Sequence, residues 1–262
     1  MSTEPTIRTD IDAFIGIITI DNPSKLNALD IPTLEALETA LDDMEHNPAV
    51  HTIVVTGAGQ RAFVAGGDIK DLDSRQGLSH YQEFAEVIHR VFRRFELCDK
   101  PTIGAINGLA LGGGVELLLC LDIRLVADTA KLAVPEINLG LFPGAGGSQR
   151  LIRQIPLCRA KEMMFLGEQI SAQEAVDLGL CNRVVSAADL LEETLSLAKR
   201  IASKSAITLK LLKRSLNHGI EMPLGASLQY EQAMIGLVLD SEDAHEGCTA
   251  FLEKRKPEFK GK

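Results

Sequence analysis

Short β-branched runs separated by stretches of helical spacing constrain this chain more than any other feature. Phe14-Ile-Gly-Ile-Ile-Thr-Ile20 and Val50-His-Thr-Ile-Val-Val-Thr56 are bounded by Asp, Asn, Pro and Gly, the pattern of buried strands. Between them Leu34, Leu37, Leu41 and Met44 recur at the period of a helix. The alternation repeats: Gly77 to Phe95 places Tyr81, Phe84, Ile88, Val91, Phe92 and Phe95 on one helical face, and Pro101 to Ile106 is a further strand. A helix follows from Gly112 to Leu121, then strands at Ile123 to Val126 and Lys131 to Val134. Chains that alternate in this way fold as α/β structures, each strand covered by the helix that follows it. Strand patterns end after Val184-Val185, and from Asp189 onward the pattern is helical, with Leu191, Leu195, Ala198 and Ile201 in register. The expected organisation is a mixed core over residues 1–200 and a helical extension over residues 201–262.

Charge narrows the function classes. Thirty-six acidic residues against 27 basic ones give a net charge of −9, and no basic stripe is interleaved with aromatics, so nucleic acid is not an expected partner. No apolar run approaches the ~20 residues of a membrane span. The opening MSTEPTIRTDID carries acids and no long apolar run, which reads as neither signal nor transit peptide and makes the cytoplasm the expected location. Cys98, Cys120, Cys158, Cys181 and Cys248 are scattered without C-x-x-C or His/Cys grouping, so they read as buried thiols in a reducing compartment, and no metal site is expected. The six histidines are dispersed and no G-x-S-x-G accompanies them, which argues against Ser/His/Asp hydrolysis.

Three glycine clusters remain: Ala65-Gly-Gly-Asp68, Leu111-Gly-Gly-Gly-Val-Glu116 and Pro143-Gly-Ala-Gly-Gly147. Each is a tight turn or a place where a ligand meets the main chain. None fits the dinucleotide fingerprint or the P-loop. In order and with their surroundings, from Ser24-Lys-Leu-Asn-Ala-Leu29 through Ala62 to Lys70, Ala105 to Glu116, Val134-Pro-Glu136, Pro143 to Arg150, Glu246-Gly and Ala250 to Lys256, they closely resemble the crotonase, or enoyl-CoA hydratase/isomerase, superfamily. The resemblance implies a crotonase-like α/β spiral of repeated ββα units with a C-terminal helical region used in trimerisation. It also implies a homotrimer or homohexamer, acyl-CoA thioester substrates, and no cofactor beyond the CoA that the substrate carries.

By motif position, the backbone N–H groups of Gly67 and Gly113 should form the oxyanion hole, and a helix starting near Gly113 aims its positive dipole end at the same point. Glu116 and Glu136 occupy the two positions that are both glutamate in enoyl-CoA hydratases, where the pair binds water and delivers OH to C3 and H to C2. The matched pair favours hydration of a trans-2-enoyl-CoA. Δ3,Δ2-enoyl-CoA isomerisation, which needs one carboxylate, is the alternative, as is a specialised hydratase of aromatic or branched-acid breakdown. Further off stands a non-catalytic scaffold or an RNA-binding relative.

The same resemblance gives roles to other positions. Ala65 and Lys70, beside the oxyanion loop, fall where the family encloses CoA. Gly144 stands where a backbone group helps hold the water or the surroundings of the second glutamate. Phe251 and Lys254 match positions that reach a CoA bound by the adjoining subunit; the alternative, a charged frayed tail, is made less attractive by the apolar Ala250-Phe-Leu252. Asp68 reads as an acceptor that shapes the Gly67 loop, and Asp122 with Arg124 as a half-buried structural set. Val134 departs from the pattern, since some short-chain hydratases carry glutamine there.

Overall fold

The computed structural model describes residues 6–75 and 77–262. Its ten strands form two sheets. The larger has the order β1-β2-β3-β5-β7-β10, made of β1 (Ile7–Asp12), β2 (Ile15–Ile20), β3 (Thr52–Gly57), β5 (Thr102–Ile106), β7 (Ile123–Ala127) and β10 (Arg183–Val185). β1 pairs with β2 antiparallel, and every other neighbour in this sheet is parallel. The smaller sheet has the order β4-β6-β8-β9, from β4 (Ala62–Val64), β6 (Leu109–Leu111), β8 (Lys131–Ala133) and β9 (Ile170–Ser171). Each winding of the chain gives one longer strand to the first sheet and one short strand to the second, β3 then β4, β5 then β6, β7 then β8. The result is the two-layer spiral expected of repeated ββα units.

Eleven α-helices complete the described residues: α1 (Ile31–His46), α2 (Ile69–Asp73), α3 (Glu86–Leu97), α4 (Gly113–Leu118), α5 (Gly147–Gln154), α6 (Leu157–Leu166), α7 (Ala172–Asp177), α8 (Leu190–Ala202), α9 (Ala206–Gly219), α10 (Leu224–Leu239) and α11 (Glu242–Leu252). The central strands are buried on both faces, β5 at every residue, which is why they read as continuous apolar runs. Asp30 caps α1 by accepting from the Thr33 N–H at 3.0 Å, and Leu34, Leu37, Leu41 and Met44 all face the core as their spacing predicts.

Three expectations are corrected. The predicted helix from Gly77 to Phe95 is not one regular α-helix: His80–Ala85 forms a π-turn before α3. Its wider turn shifts the helical phase, so Ile88, Val91, Phe92 and Phe95 are buried while Tyr81 is 60% exposed. In α8 the inward line is Leu190, Thr194, Ala198, and Leu191 faces out. Cys98, Cys120 and Cys181 are buried, but Cys158 and Cys248 sit on the outer faces of α6 and α11. The strand β9 is only two residues long, too short to leave a pattern.

α8 packs on the large sheet through β2, β3, β5 and β7, whereas α9 packs chiefly on α10. Residue 200 lies in the last turn of α8, and Ser205 caps α9 by accepting from Thr208 N–H. The end of the chain is tied down: Asp243 accepts from the N–H groups of Lys260 (2.7 Å) and Gly261 (2.9 Å) and donates its own to the Lys262 carbonyl at 3.0 Å. No helix among the described residues is long and apolar enough to cross a membrane.

Candidate active site

The site is assembled where the starts and ends of the short strands meet. After β4, the chain runs beside Leu29: the Leu29 N–H donates to Gly66 O at 2.8 Å, and the Asp68 N–H donates to Leu29 O at 2.8 Å. Successive amides of an extended chain point to opposite sides, so the Gly67 N–H faces away from Leu29. It has no hydrogen-bond acceptor among the described residues. Asp68 holds this loop as a structural acceptor. Its Oδ1 takes the Lys70 and Asp71 N–H groups at the start of α2, and its Oδ2 pairs with Lys25 at 2.7 Å, the contact that holds its carboxyl below the usual range.

The second loop leaves β6 at Gly112, whose N–H donates to Ala133 O at 2.9 Å. Gly112 has φ +52°, and a Cβ there would come within 2.7 Å of Glu136 Oε1, so glycine is required by both conformation and room. α4 begins at the next residue. Its first N–H, that of Gly113, has no intrahelical acceptor by position and none among the described residues. A Cβ placed on Gly113 would lie 3.6 Å from the Gly67 nitrogen, so the two free donors are neighbours. Two neighbouring amide donors without acceptors can together stabilise a developing oxyanion.

Glu116 lies in the first turn of α4 and is only 3% exposed. Its Oε1 accepts from the N–H groups of Ala145 (2.7 Å) and Gly147 (2.8 Å). Burial pushes its carboxyl up to about 7, with the Glu136 charge adding to the rise and the two amides and Arg150 opposing it. Glu136 stands in the 3₁₀ turn Pro135–Leu139 that follows β8, and burial raises its proton affinity as well. Its Oε2 is buried with no hydrogen-bond partner among the described residues. The site thus holds two carboxyl groups of raised proton affinity beside two amide donors without acceptors among the described residues. Such a pair can keep one proton and exchange it between roles; the roles belong to the pair.

The structure therefore brings together Gly67, Gly113, Glu116 and Glu136. Ala65 is half-buried at the root of the first loop, and its N–H donates to Leu26 O at 3.1 Å. Lys70 is exposed on α2. Gly144 is exposed, and its carbonyl accepts from His89 Nε2 of α3 at 2.7 Å. The Gly144 loop closes on Glu116, through Ala145 and Gly147. Phe251 is 83% exposed at the end of α11, and Lys254 just beyond it has φ +56°. No hydrogen bond among the described residues ties either to the cleft. Val134, two residues before Glu136, is fully buried. Asp122 takes Lys213 Nζ at 2.7 Å, while Arg124 bonds Gln154 at 2.5 Å, so the two serve separate contacts.

Sequence reasoning missed the donors to Glu116. Ala145 and Gly147 act through the main chain, which no residue type announces; the only signal was the third glycine cluster itself. It also missed His89 and Arg150, whose partners are backbone carbonyls of that loop.

Comparison with known proteins identifies the family. A family model described as enoyl-CoA hydratase/isomerase matches residues 10–262. The chain is 37% identical over 244 residues to a short-chain-enoyl-CoA hydratase of Clostridium acetobutylicum, covering 93% of each chain. It is 39% identical to a crotonyl-CoA hydratase of Syntrophomonas wolfei, covering 94% of each. A solved enoyl-CoA hydratase subunit from Geobacillus kaustophilus superposes with a TM-score of 0.93 at 40% identity, covering 98% of both chains.

Proposed function

The chain belongs to the enoyl-CoA hydratase/isomerase family, and from that premise we propose that it is an enoyl-CoA hydratase, adding water reversibly and syn to a trans-2-enoyl-CoA to give a 3-hydroxyacyl-CoA. The observation that carries the reading is the pairing of buried Glu116 with half-buried Glu136, whose Oε2 is inaccessible and unpartnered among the described residues, beside the N–H groups of Gly67 and Gly113. The thioester oxygen accepts from those two amides, which stabilise the enolate formed when C3 is attacked. One carboxylate takes a proton from water as its oxygen bonds to C3, and the other, held as the neutral acid, delivers a proton to C2. The product gains one H₂O and the pair ends with the same single proton. CoA is part of the substrate, and the reaction needs no resident cofactor or metal.

Assembly is part of the proposal. Although α10 packs on α9, none of its residues is fully buried, and Leu224, Leu228, Leu237 and Leu239 are exposed along it. Burying that face between copies gives a homotrimer or a dimer of trimers, which brings Phe251 and Lys254 to a neighbour's CoA. Light scattering at micromolar concentration should give a trimer or hexamer; a monomer overturns this part.

A panel of enoyl-CoA thioesters, followed by loss of the conjugated thioester absorbance and by product mass, tests the activity. A product heavier by one water supports hydration. A substrate that shifts its double bond with no mass change, and is not hydrated, assigns the isomerase instead, and no turnover at all leaves the scaffold reading.

A further inference from the structure

Glu116 is held by a loop, and the loop is held by an ion pair outside the cleft. Arg150, on α5, sends Nη1 to the Ala145 carbonyl at 3.2 Å. The same guanidinium gives Nε and Nη2 to the two carboxylate oxygens of Glu96, at 3.2 and 2.9 Å, a two-point contact that fixes its plane. Glu96 belongs to α3, and its own carbonyl accepts from Asn217 of α9 at 2.9 Å. Arg150 lies directly beneath the loop: Gly146 has φ +98°, and a Cβ there would come within 2.0 Å of Arg150 Nη1. The peptide that Arg150 grips, Ala145–Gly146, lies between the two N–H groups that hold Glu116.

We propose that Arg150, braced by Glu96, is a positioning residue for Glu116: it fixes the Ala145–Gly146 peptide so that the amides of Ala145 and Gly147 stay together on Glu116 Oε1. The inference rests on the hydratase reading for its catalytic consequence, but its structural claim stands on the loop alone. Surface ion pairs commonly contribute little. This one differs because its arginine is largely covered, with 15% of the side chain exposed, and spends a third donor on the loop.

The charged and titratable neighbours set the sign of the effect. Glu116 faces Glu136 from the 3₁₀ turn, Arg150 from α5, and Cys120, whose thiol donates to the Glu116 carbonyl at 3.3 Å. Arg150 in turn faces Glu96, Cys120 and Glu116. The Cys120 thiol is pushed up to about 12 by burial, so it stays neutral, and the one hydrogen bond of the His89 side chain among the described residues is to the Gly144 carbonyl. Both the Arg150 charge and the two amides favour ionised Glu116. Removing Arg150 therefore weakens both influences and raises the proton affinity of Glu116.

The test uses Arg150→Gln, Arg150→Lys and Glu96→Gln in the full chain, with Arg153→Gln as a control that removes a neighbouring charge on α5 whose partner is the exposed Glu221. With crotonyl-CoA as the probe, Arg150→Gln should lower kcat about 10- to 100-fold, the loss expected when a proton-transfer group is slightly misplaced, with KM changed less than about twofold. The inflection of its kcat–pH profile should move to higher pH. Arg150→Lys, which keeps the charge but not the fork, and Glu96→Gln should fall between this variant and the parent, and Arg153→Gln should match the parent. A carboxyl ¹³C NMR titration of glutamate-labelled protein, with the Glu116 signal assigned by Glu116→Gln, reads the same shift without turnover. If the folded Arg150→Gln protein shows the parental Glu116 titration, the inference fails whatever the activity. If the parent hydrates no enoyl-CoA while the Glu116 titration still moves, the hydratase reading fails and the positioning role stands. Should Arg150→Gln not fold, Glu96→Gln decides: an unshifted Glu116 titration there overturns the inference.

Discussion

Glu116 and Glu136 are the same side chain set in two differently built walls of one site. Around Glu116, α4, α5 and the 143–147 loop converge, and two main-chain amides fix one carboxyl oxygen. Around Glu136 there is a five-residue 3₁₀ turn, and a buried oxygen, Oε2, lacks a partner among the described residues. Burial raises the proton affinity of both groups. The first wall gives a carboxyl group of fixed direction; the second leaves acceptor capacity for a water or a substrate proton. Buried polar atoms without partners are uncommon in folded proteins because each loses its hydration without replacement. Glu136 Oε2 is such an atom, and it lies in the same site as the Gly67 and Gly113 amides.

The largest expected effect tests whether both walls are needed. Glu116→Gln and Glu136→Gln should each lower kcat about 10²–10⁴-fold, the range for losing a positioned acid or base. Gln keeps an oxygen for the Ala145 and Gly147 amides, so the Glu116 wall should stay in place. Parental hydration rates in either variant would remove the paired mechanism and reduce the two walls to one.

The amide donors that the walls share come next. Gly113 is the first residue of α4, where proline is tolerated because the lost N–H has no helical acceptor. A Cβ there meets nothing nearer than 3.6 Å. Gly113→Pro should therefore cost about 10²–10³ in kcat, while affinity for the CoA product changes little. Full turnover by a folded, CoA-binding variant would show that the thioester oxygen is held elsewhere.

The Glu116 wall also predicts a pH-dependent stability. In the folded protein Glu116 is raised from 4.5 to about 7, so between those values the fold holds a proton that the unfolded chain has released. The stability this proton supplies is complete below about pH 4.5 and is lost as pH rises through about 7. Glu116→Gln lacks the titration, while Glu136 is common to both proteins. Relative to the parent, the variant should gain stability between pH 5 and pH 8, by up to about 3 kcal/mol. Urea unfolding at the two pH values measures it, and a pH-independent difference would mean that Glu116 is ionised in the fold as in water.

The smallest effect separates the walls most cleanly. His89→Ala removes the donor to the Gly144 carbonyl on the Glu116 side and touches nothing of Glu136. Loss of one such bond should lower kcat about fivefold, the equivalent of about 1 kcal/mol. A change in KM with kcat preserved would instead place His89 against the substrate.

Much of the spiral was legible because its rules are local and periodic. The runs that became β2, β3, β5 and β7 are β-branched and apolar, and the α1 face of Leu34, Leu37, Leu41 and Met44 is written at the helical period. The reading failed where the period changes without a marker. The π-turn at His80–Ala85 rotated Tyr81 outward, and the two-residue β9 had no length in which to show alternation. In the site, Glu116 was legible after a glycine run and Glu136 after Pro135, both at positions matching the family pattern, whereas the main-chain donors to Glu116 were not.

The sequence by itself determined the order of strands and helices, the glycine runs that let loops approach, and the two glutamates. These follow from side-chain size, branching and conformational freedom, which are properties of neighbours in the chain. Only the tertiary structure decided that the amides of Gly67 and Gly113, 46 residues apart in number, stand side by side, and that Glu116 is anchored by a loop some 30 residues on while Glu136 is left with a free oxygen. Every non-proline residue carries an N–H, so composition cannot say which ones go unpaired. That depends on which carbonyls the packed strands and helices bring within reach.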